Sequence, residues 1–159
     1  PHDDLAVIVL TNLAGANPEE FVDEIAGQFL PDLLEVNGGG LPMPVKRLRF
    51  ALMESDFKEP LAAYRRLEQK DATFAISEAE LNAWGGVLLN AGHVDHAIAV
   101  FSLNVSLTPG SSNAHDSLGE GYEAKHAFDL AIASYAAAVA LDSTNEHARS
   151  RLKALEARQ

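Results

Sequence analysis

One pattern is written twice between Glu78 and Asn145, 34 residues apart, and it constrains the fold more than any other feature of the chain. Trp84-Gly85 is matched by Leu118-Gly119, Leu88 by Tyr122, Ala97 by Ala131 and Phe101 by Tyr135. Self-similarity at a fixed period of this length marks a stacked helical repeat, in which no unit buries its apolar face alone. Within each copy the glycine and the alanine stand 12 positions apart, Gly85 to Ala97 and Gly119 to Ala131. That spacing suits two antiparallel helices joined by a short turn. Gly is then expected to face Ala where the backbones come closest, with the aromatic one turn later filling the space beside them. Pro109-Gly110 breaks the chain between the copies, and Ser143 stands where a second proline would be.

The same periodicity extends outward. Ala51, Ala63 and Leu67 lie 34 residues before Gly85, Ala97 and Phe101, so 45–77 reads as a degenerate first unit. Leu48, Ala51 and Leu52 share one helical face and Leu61, Tyr64 and Leu67 another, with Pro60 in the first turn of the second helix. Ser77-Glu-Ala-Glu80 is a capping box that opens the first clear unit, 78–111. Helices are predicted at roughly 77–91, 94–107, 112–125 and 128–141, the second unit being 112–145. Ser143-Thr-Asn-Glu146 reads as another capping box for a terminal helix, 146–158, with Ala148, Leu152 and Leu155 on one stripe and Arg149, Arg151, Lys153 and Arg158 on the other face. A polar outer face is what ends a repeat array.

At these residues the sequence resembles the tetratricopeptide repeat family. Its pattern is a large apolar residue then Gly, an aromatic three on, a Gly before the turn, then Ala, an aromatic, a small residue and Pro. The first unit matches with Trp84, Gly85, Gly92, Ala97, Phe101 and Pro109 and departs at Leu88 and Asn104. The second matches with Leu118, Gly119, Tyr122, Ala131, Tyr135 and Ala138 and departs at His126 and Ser143. The resemblance implies an all-α tetratricopeptide-like helical repeat, an α-α superhelix, over 45–159. It implies a scaffold that binds other proteins without saying which.

The N-terminal part is different. Leu5–Leu10 is a short continuous apolar run rich in β-branched residues, the pattern of a strand buried on both faces. Pro18-Glu19-Glu20 then opens a helix whose stripe is Phe21, Val22, Ile25 and Phe29, with Asn17 as its cap. A single strand has no backbone partner and cannot be a domain. From Asp4 to Phe29 the chain resembles the last strand and C-terminal helix of the serine β-lactamase and penicillin-binding protein-like hydrolase family. That likeness implies that 1–36 is the remnant of a hydrolase domain, that an upstream part exists, and that the location is extracytoplasmic. Composition alone leaves the compartment open. Residues 37–44, beginning Asn37-Gly38-Gly39-Gly40, form a linker. The unpaired strand is expected to pair with its copy in a homodimer through Leu5–Leu10.

Charge limits the partners. The net charge is −11, distributed as −8 over 1–40 (eight acids), +2 over 41–77, −7 over 78–145 and +2 over 146–159. A polyanion needs a basic footprint, so nucleic acid is not an expected partner. No apolar run approaches the roughly 20 residues of a bilayer span. With no cysteine, disulfides, thiolate nucleophiles and Cys-based zinc sites are excluded.

Three candidates for chemistry were weighed. Ser55-Asp-Phe-Lys58 matches Ser-x-x-Lys, a hydrolase nucleophile motif, but falls at a predicted helix end, precedes Pro60, follows the orphan strand instead of preceding it, and lacks a Lys-Thr-Gly or Tyr-x-Asn partner. It is read as coincidence, and no catalytic residue is assigned to this chain. His93 and His96 have metal-ligand spacing but lie at a helix–helix turn without a third ligand, so a solvated turn is favoured and neither metal nor cofactor is expected. The third candidate is the face that the first helix of each tetratricopeptide unit presents. It carries Asn82, Gly86, Leu89 and Asn90 from one unit and Asn113, Asp116, Glu120 and Glu123 from the next. The ordinary reading is a solvated polar face. The functional one is a peptide-binding groove in which Asn amides grip a backbone and carboxylates favour basic side chains. The function expected is a protein–protein interaction module that binds a peptide or packs on a hydrolase domain. The alternative is the tail of a β-lactamase-like serine hydrolase whose catalytic residues lie outside this chain.

Overall fold

The computed structural model describes residues 41–158. The expected strand, helix and dimer contact of 1–36 therefore lie outside the described residues. Among those described there are seven helices and no strand: α1 (Met43–Met53), α2 (Pro60–Lys70), α3 (Glu78–Asn90), α4 (Val94–Leu107), α5 (Ser112–Ala124), α6 (Phe128–Leu141) and α7 (Glu146–Glu156). Consecutive helices of each unit pack as hairpins, α4 packs on α5, and the first helices α3, α5 and α7 also touch one another in sequence. The core runs through the stack from Val45, Leu48 and Leu52 through Trp84, Phe101 and Leu103, and continues in Ala131, Tyr135, Ala138 and Leu155.

Local chemistry explains the boundaries. Ser77 accepts from the Glu80 N–H while the Glu80 carboxylate accepts from the Ser77 N–H, the reciprocal pair expected from the sequence. Ser111 caps α5 through the Ala114 N–H. α7 begins at Glu146, but its cap is Asn145, which accepts from the Ala148 N–H at 3.0 Å, and not Ser143. α1 starts at Met43, inside the stretch read as linker, with Pro44 in the first turn where a missing N–H costs nothing.

The glycines correct one packing expectation. A Cβ on Gly85 would stand 2.3–2.8 Å from the Phe101 ring, and one on Gly119 would stand 2.6–3.0 Å from the Tyr135 ring. The aromatic, not the alanine, presses on the glycine. Phe101 is also approached from the next unit, where a Cβ on Gly121 would lie 3.3 Å from its ring. Each aromatic therefore takes up the space that a glycine leaves open.

The α1–α2 hairpin, expected as a degenerate unit, differs from the later ones in its links. Two residues separate Thr108 from Ser111 and Asp142 from Asn145, but five separate Asp71 from Ser77. The longer link carries Phe74 and Ile76 into the core. The turn between α1 and α2 is also longer and holds Asp56 and Phe57 at positive φ, 50° and 57°. That conformation is unfavourable for a bulky side chain. It is offset by burial of the Phe57 ring, which stacks on His96 at 4.1 Å and lies 6.1 Å from Trp84. On α2, Ala63 and Tyr64 face inward while Leu61 is exposed, so the buried face is rotated from the one the sequence implied.

Candidate functional site

Because α3, α5 and α7 are neighbours, side chains 34 positions apart repeat along one face. Its two halves differ. In the first, Asn104 of α4 is fully buried and reaches the end of α3: its amide donates to the Glu78 carbonyl at 3.2 Å and to Asn82 Oδ1 at 2.9 Å. The Asn that departs from the repeat pattern is thus a satisfied polar group that ties the two helices together. Glu78 in turn accepts from Ser111 at 2.7 Å and Asn113 at 3.1 Å, joining the first unit to the second. Gly86 leaves open space, with nothing within 4 Å of an added Cβ; Leu89 packs partly on the core, and Asn90 is exposed at the end of α3.

In the second half the three carboxylates meet α7. Asp116 accepts from His147 Nδ1 at 2.8 Å and from the Asn145 amide at 3.2 Å. Glu123 is held by the Arg151 guanidinium, Nε to Oε2 at 2.9 Å and Nη2 to Oε1, and accepts from the Tyr135 hydroxyl at 3.1 Å. Glu120 is more exposed, and His147 Nε2 lies 3.5 Å from its Oε1. Burial holds the Glu120 carboxyl above its ordinary range; Asp116 adds to that shift, while His147 and Arg151 oppose it. Burial likewise pushes the Tyr135 hydroxyl up, with Glu120 and Asp116 contributing. Glu120, Glu123, Tyr135, His147 and Arg151 border an open depression of about 390 Å³.

The eight residues expected at the site thus fall on the first helices, but Asp116 and Glu123 are not free carboxylates. Sequence reasoning missed His147, which it did not single out, and Arg151, which it assigned to the polar outer face of the end helix. The available signal was the register: Asn113 plus one period is His147.

The other candidates resolve differently. The Ser55 hydroxyl donates to the Leu52 carbonyl at 3.2 Å, and Lys58 lies 3.4 Å from Asp56, so the Ser-x-x-Lys residues do not form a Ser–Lys couple. His96 is stacked between Phe57 and His93 instead of standing in a solvated turn. Among the described residues no group of three or more His, Cys, Asp or Glu side chains could hold a metal ion, and no helix is long and apolar enough to cross a membrane.

Two solved structures share this architecture. The first tetratricopeptide domain of Spaghetti (RPAP3), bound to the HSP90 peptide SRMEEVD, superposes with a TM-score of 0.51 at 14% identity, covering 79% of this chain and 97% of that one. The Arabidopsis OM64 tetratricopeptide domain gives 0.51 at 13% identity, covering 77% and 99%. The fold is tetratricopeptide-like. Among curated proteins, the chloroplastic tetratricopeptide repeat domain-containing protein PYG7 of Arabidopsis thaliana is 35% identical over 77 residues. That match covers 48% of this chain and 26% of PYG7. No family model matches the chain. A tetratricopeptide-like array of this kind is consistent with a protein–protein interaction module.

Proposed function

We propose that the chain binds an extended peptide along the face formed by α3 and α5, with Asn82, Gly86, Leu89, Asn90, Asn113, Asp116, Glu120 and Glu123 as its lining. The observation that carries this reading is the direct packing of the first helices, which sets these positions side by side. The neighbour solved with a bound peptide supports the ligand class. Its peptide, SRMEEVD, has three acidic residues, whereas this face carries carboxylates and favours a basic or neutral sequence. Asp116 and Glu123 are engaged by α7, so Glu120 is the carboxylate open to a ligand's Lys or Arg. Fluorescence anisotropy with matched basic, neutral and acidic peptides tests this. Basic peptides should bind more tightly, lose affinity with added salt, and weaken severalfold in Glu120→Lys. Preference for acidic peptides, or indifference to Glu120→Lys, would refute it.

A second reading rests on the hydrolase resemblance of residues 4–29: the repeats pack in cis on a β-lactamase-like domain encoded upstream. On that reading this chain by itself should not turn over nitrocefin, and Ser55→Ala should change nothing. Turnover abolished by that substitution would place the nucleophile here and overturn it.

A further inference from the structure

An amide side chain has two unlike ends, and its neighbours decide which end faces where. On the shared face of α3 and α5 those neighbours each play a single role. The Glu78 carbonyl only accepts, so the Asn104 atom 3.2 Å from it is the amide nitrogen. Asn104 gives its second N–H to Asn82, and the Asn82 atom 2.9 Å away is therefore the oxygen. The Glu78 carboxylate accepts from the Ser111 hydroxyl at 2.7 Å and from Asn113 at 3.1 Å, so Asn113 turns its nitrogen to it. Each of the two asparagines is thus half used. The Asn82 amide N–H groups and the Asn113 carbonyl oxygen have no hydrogen-bond partner among the described residues. Asn82 is half-buried and Asn113 exposed. Gly86, one turn beyond Asn82, has nothing within 4 Å of an added Cβ, so another backbone has room to approach beside the donor.

We propose that Asn82 and Asn113 grip the backbone of the bound peptide, Asn82 donating to a peptide carbonyl and Asn113 accepting from a peptide N–H, and that the stretch they grip is internal to its chain. This deepens the peptide reading of the same face and rests on it. A neutral backbone supplies both the acceptor and the donor that the pair lacks, whatever side chains flank it. Recognition at this point is therefore independent of ligand sequence, and Glu120 is left to select a basic side chain. The internal position follows from charge. A terminal carboxylate needs a cation, and α3 and α5 contain no Lys or Arg, while Glu78, Asp116 and Glu120 repel it. Asn104, which departs from the repeat pattern, is on this reading the positioning residue that turns the Asn82 donor outward.

The probe is a short acetylated and amidated peptide of alanines around one Lys, titrated against the full chain by NMR. An Asn or Gln side chain offers the same donor and acceptor as a backbone, so the probe contains neither. Each Ala is replaced in turn by lactic acid, which puts an ester oxygen where the N–H stood. One position, or two neighbouring ones, should lose about fivefold in affinity. In Asn113→Ala that loss should vanish, the signature of a direct contact. Asn82→Asp keeps the oxygen that accepts from Asn104 and removes only the donor, so binding should weaken severalfold with little change in Tm. Added negative charge alone would strengthen binding of this basic peptide, so unchanged or tighter binding overturns the proposal. A flat ester scan also overturns it. If Glu120→Lys still weakens binding in that case, the peptide face stands and only the asparagine pair falls; no binding of the probe at all removes both. Ending the probe in a free carboxylate at the sensitive residue should cost affinity relative to the amide. A gain would make the site a reader of chain ends and overturn the internal position.

Discussion

The junction around Phe101 and the junction around Tyr135 occupy the same place in successive units and are built from different chemistry. Phe101 lies between Gly85 of its own unit and Gly121 of the next, an apolar contact on both sides. The polar ties there are neutral or singly charged: Asn104 to Asn82 and the Glu78 carbonyl, Ser111 and Asn113 to the Glu78 carboxylate. Tyr135 rests on Gly119, but its hydroxyl reaches Glu123, which is also the anchor of Arg151. The Asp116–His147 hydrogen bond extends this ionic seam. The inner junction is sealed by two units and can rely on burial. The outer one closes against a single helix, where water is near and charge pairing costs less to form. One register therefore carries two solutions, and the ionic one occupies carboxylates that a ligand would otherwise use.

The largest expected effect treats the two junctions alike. Gly85→Leu and Gly119→Leu should each destabilise the fold by about 3 kcal/mol in urea unfolding, because the Phe101 and Tyr135 rings leave no room for a side chain. A small effect at Gly119 alone would mean that the outer aromatic yields and that the two junctions are less alike than their register. Next, Asn104→Ala should cost about 2 kcal/mol by leaving the Glu78 carbonyl and Asn82 without their donor. Ala138, one period on, has no such duty, and Ala138→Asn should not recover a comparable gain.

A smaller effect separates the turns. Gly92 has φ 82° and His126, in the equivalent turn, has φ 61°. His126→Gly should raise stability by about 0.5–1 kcal/mol, since a left-handed residue with a Cβ is strained, whereas Gly92→Ala should lower it. The smallest effect concerns pH at the ionic seam. The folded Glu120 carboxyl titrates above its reference value of 4.5. A carboxyl with a raised folded pKa stabilises the fold most below the unfolded pKa, and that contribution declines as pH rises through the folded value. Stability of wild type minus Glu120→Gln should therefore fall from pH 4.5 upward, in a setting shared with Asp116, His147, Arg151 and Tyr135. A flat difference would show that Glu120 is fully solvated.

How much of this was legible beforehand follows from which interactions are local. The 34-residue period, the Gly and aromatic positions and the Ser77–Glu80 cap placed four helices to within about a residue of their bounds, because helix ends are set by nearby side chains. The degenerate first unit was readable as helical but not in detail. Nothing in local propensity announces that Phe57 turns inward at positive φ or that Phe74 fills an insertion; both depend on a cavity made by other helices.

The face of α3 and α5 divides along the same line. The sequence by itself determined which residues share that face, since this follows from helical period and repeat register. Only the tertiary structure decided which of them are free. Asn104 commits Asn82, α7 commits Asp116 and Glu123, and Glu120 remains the most exposed of the three acids. The physical reason is distance along the chain: those partners lie 22 to 31 residues away. Pairing over such separations is fixed by how whole helices pack, which periodicity orders but does not specify.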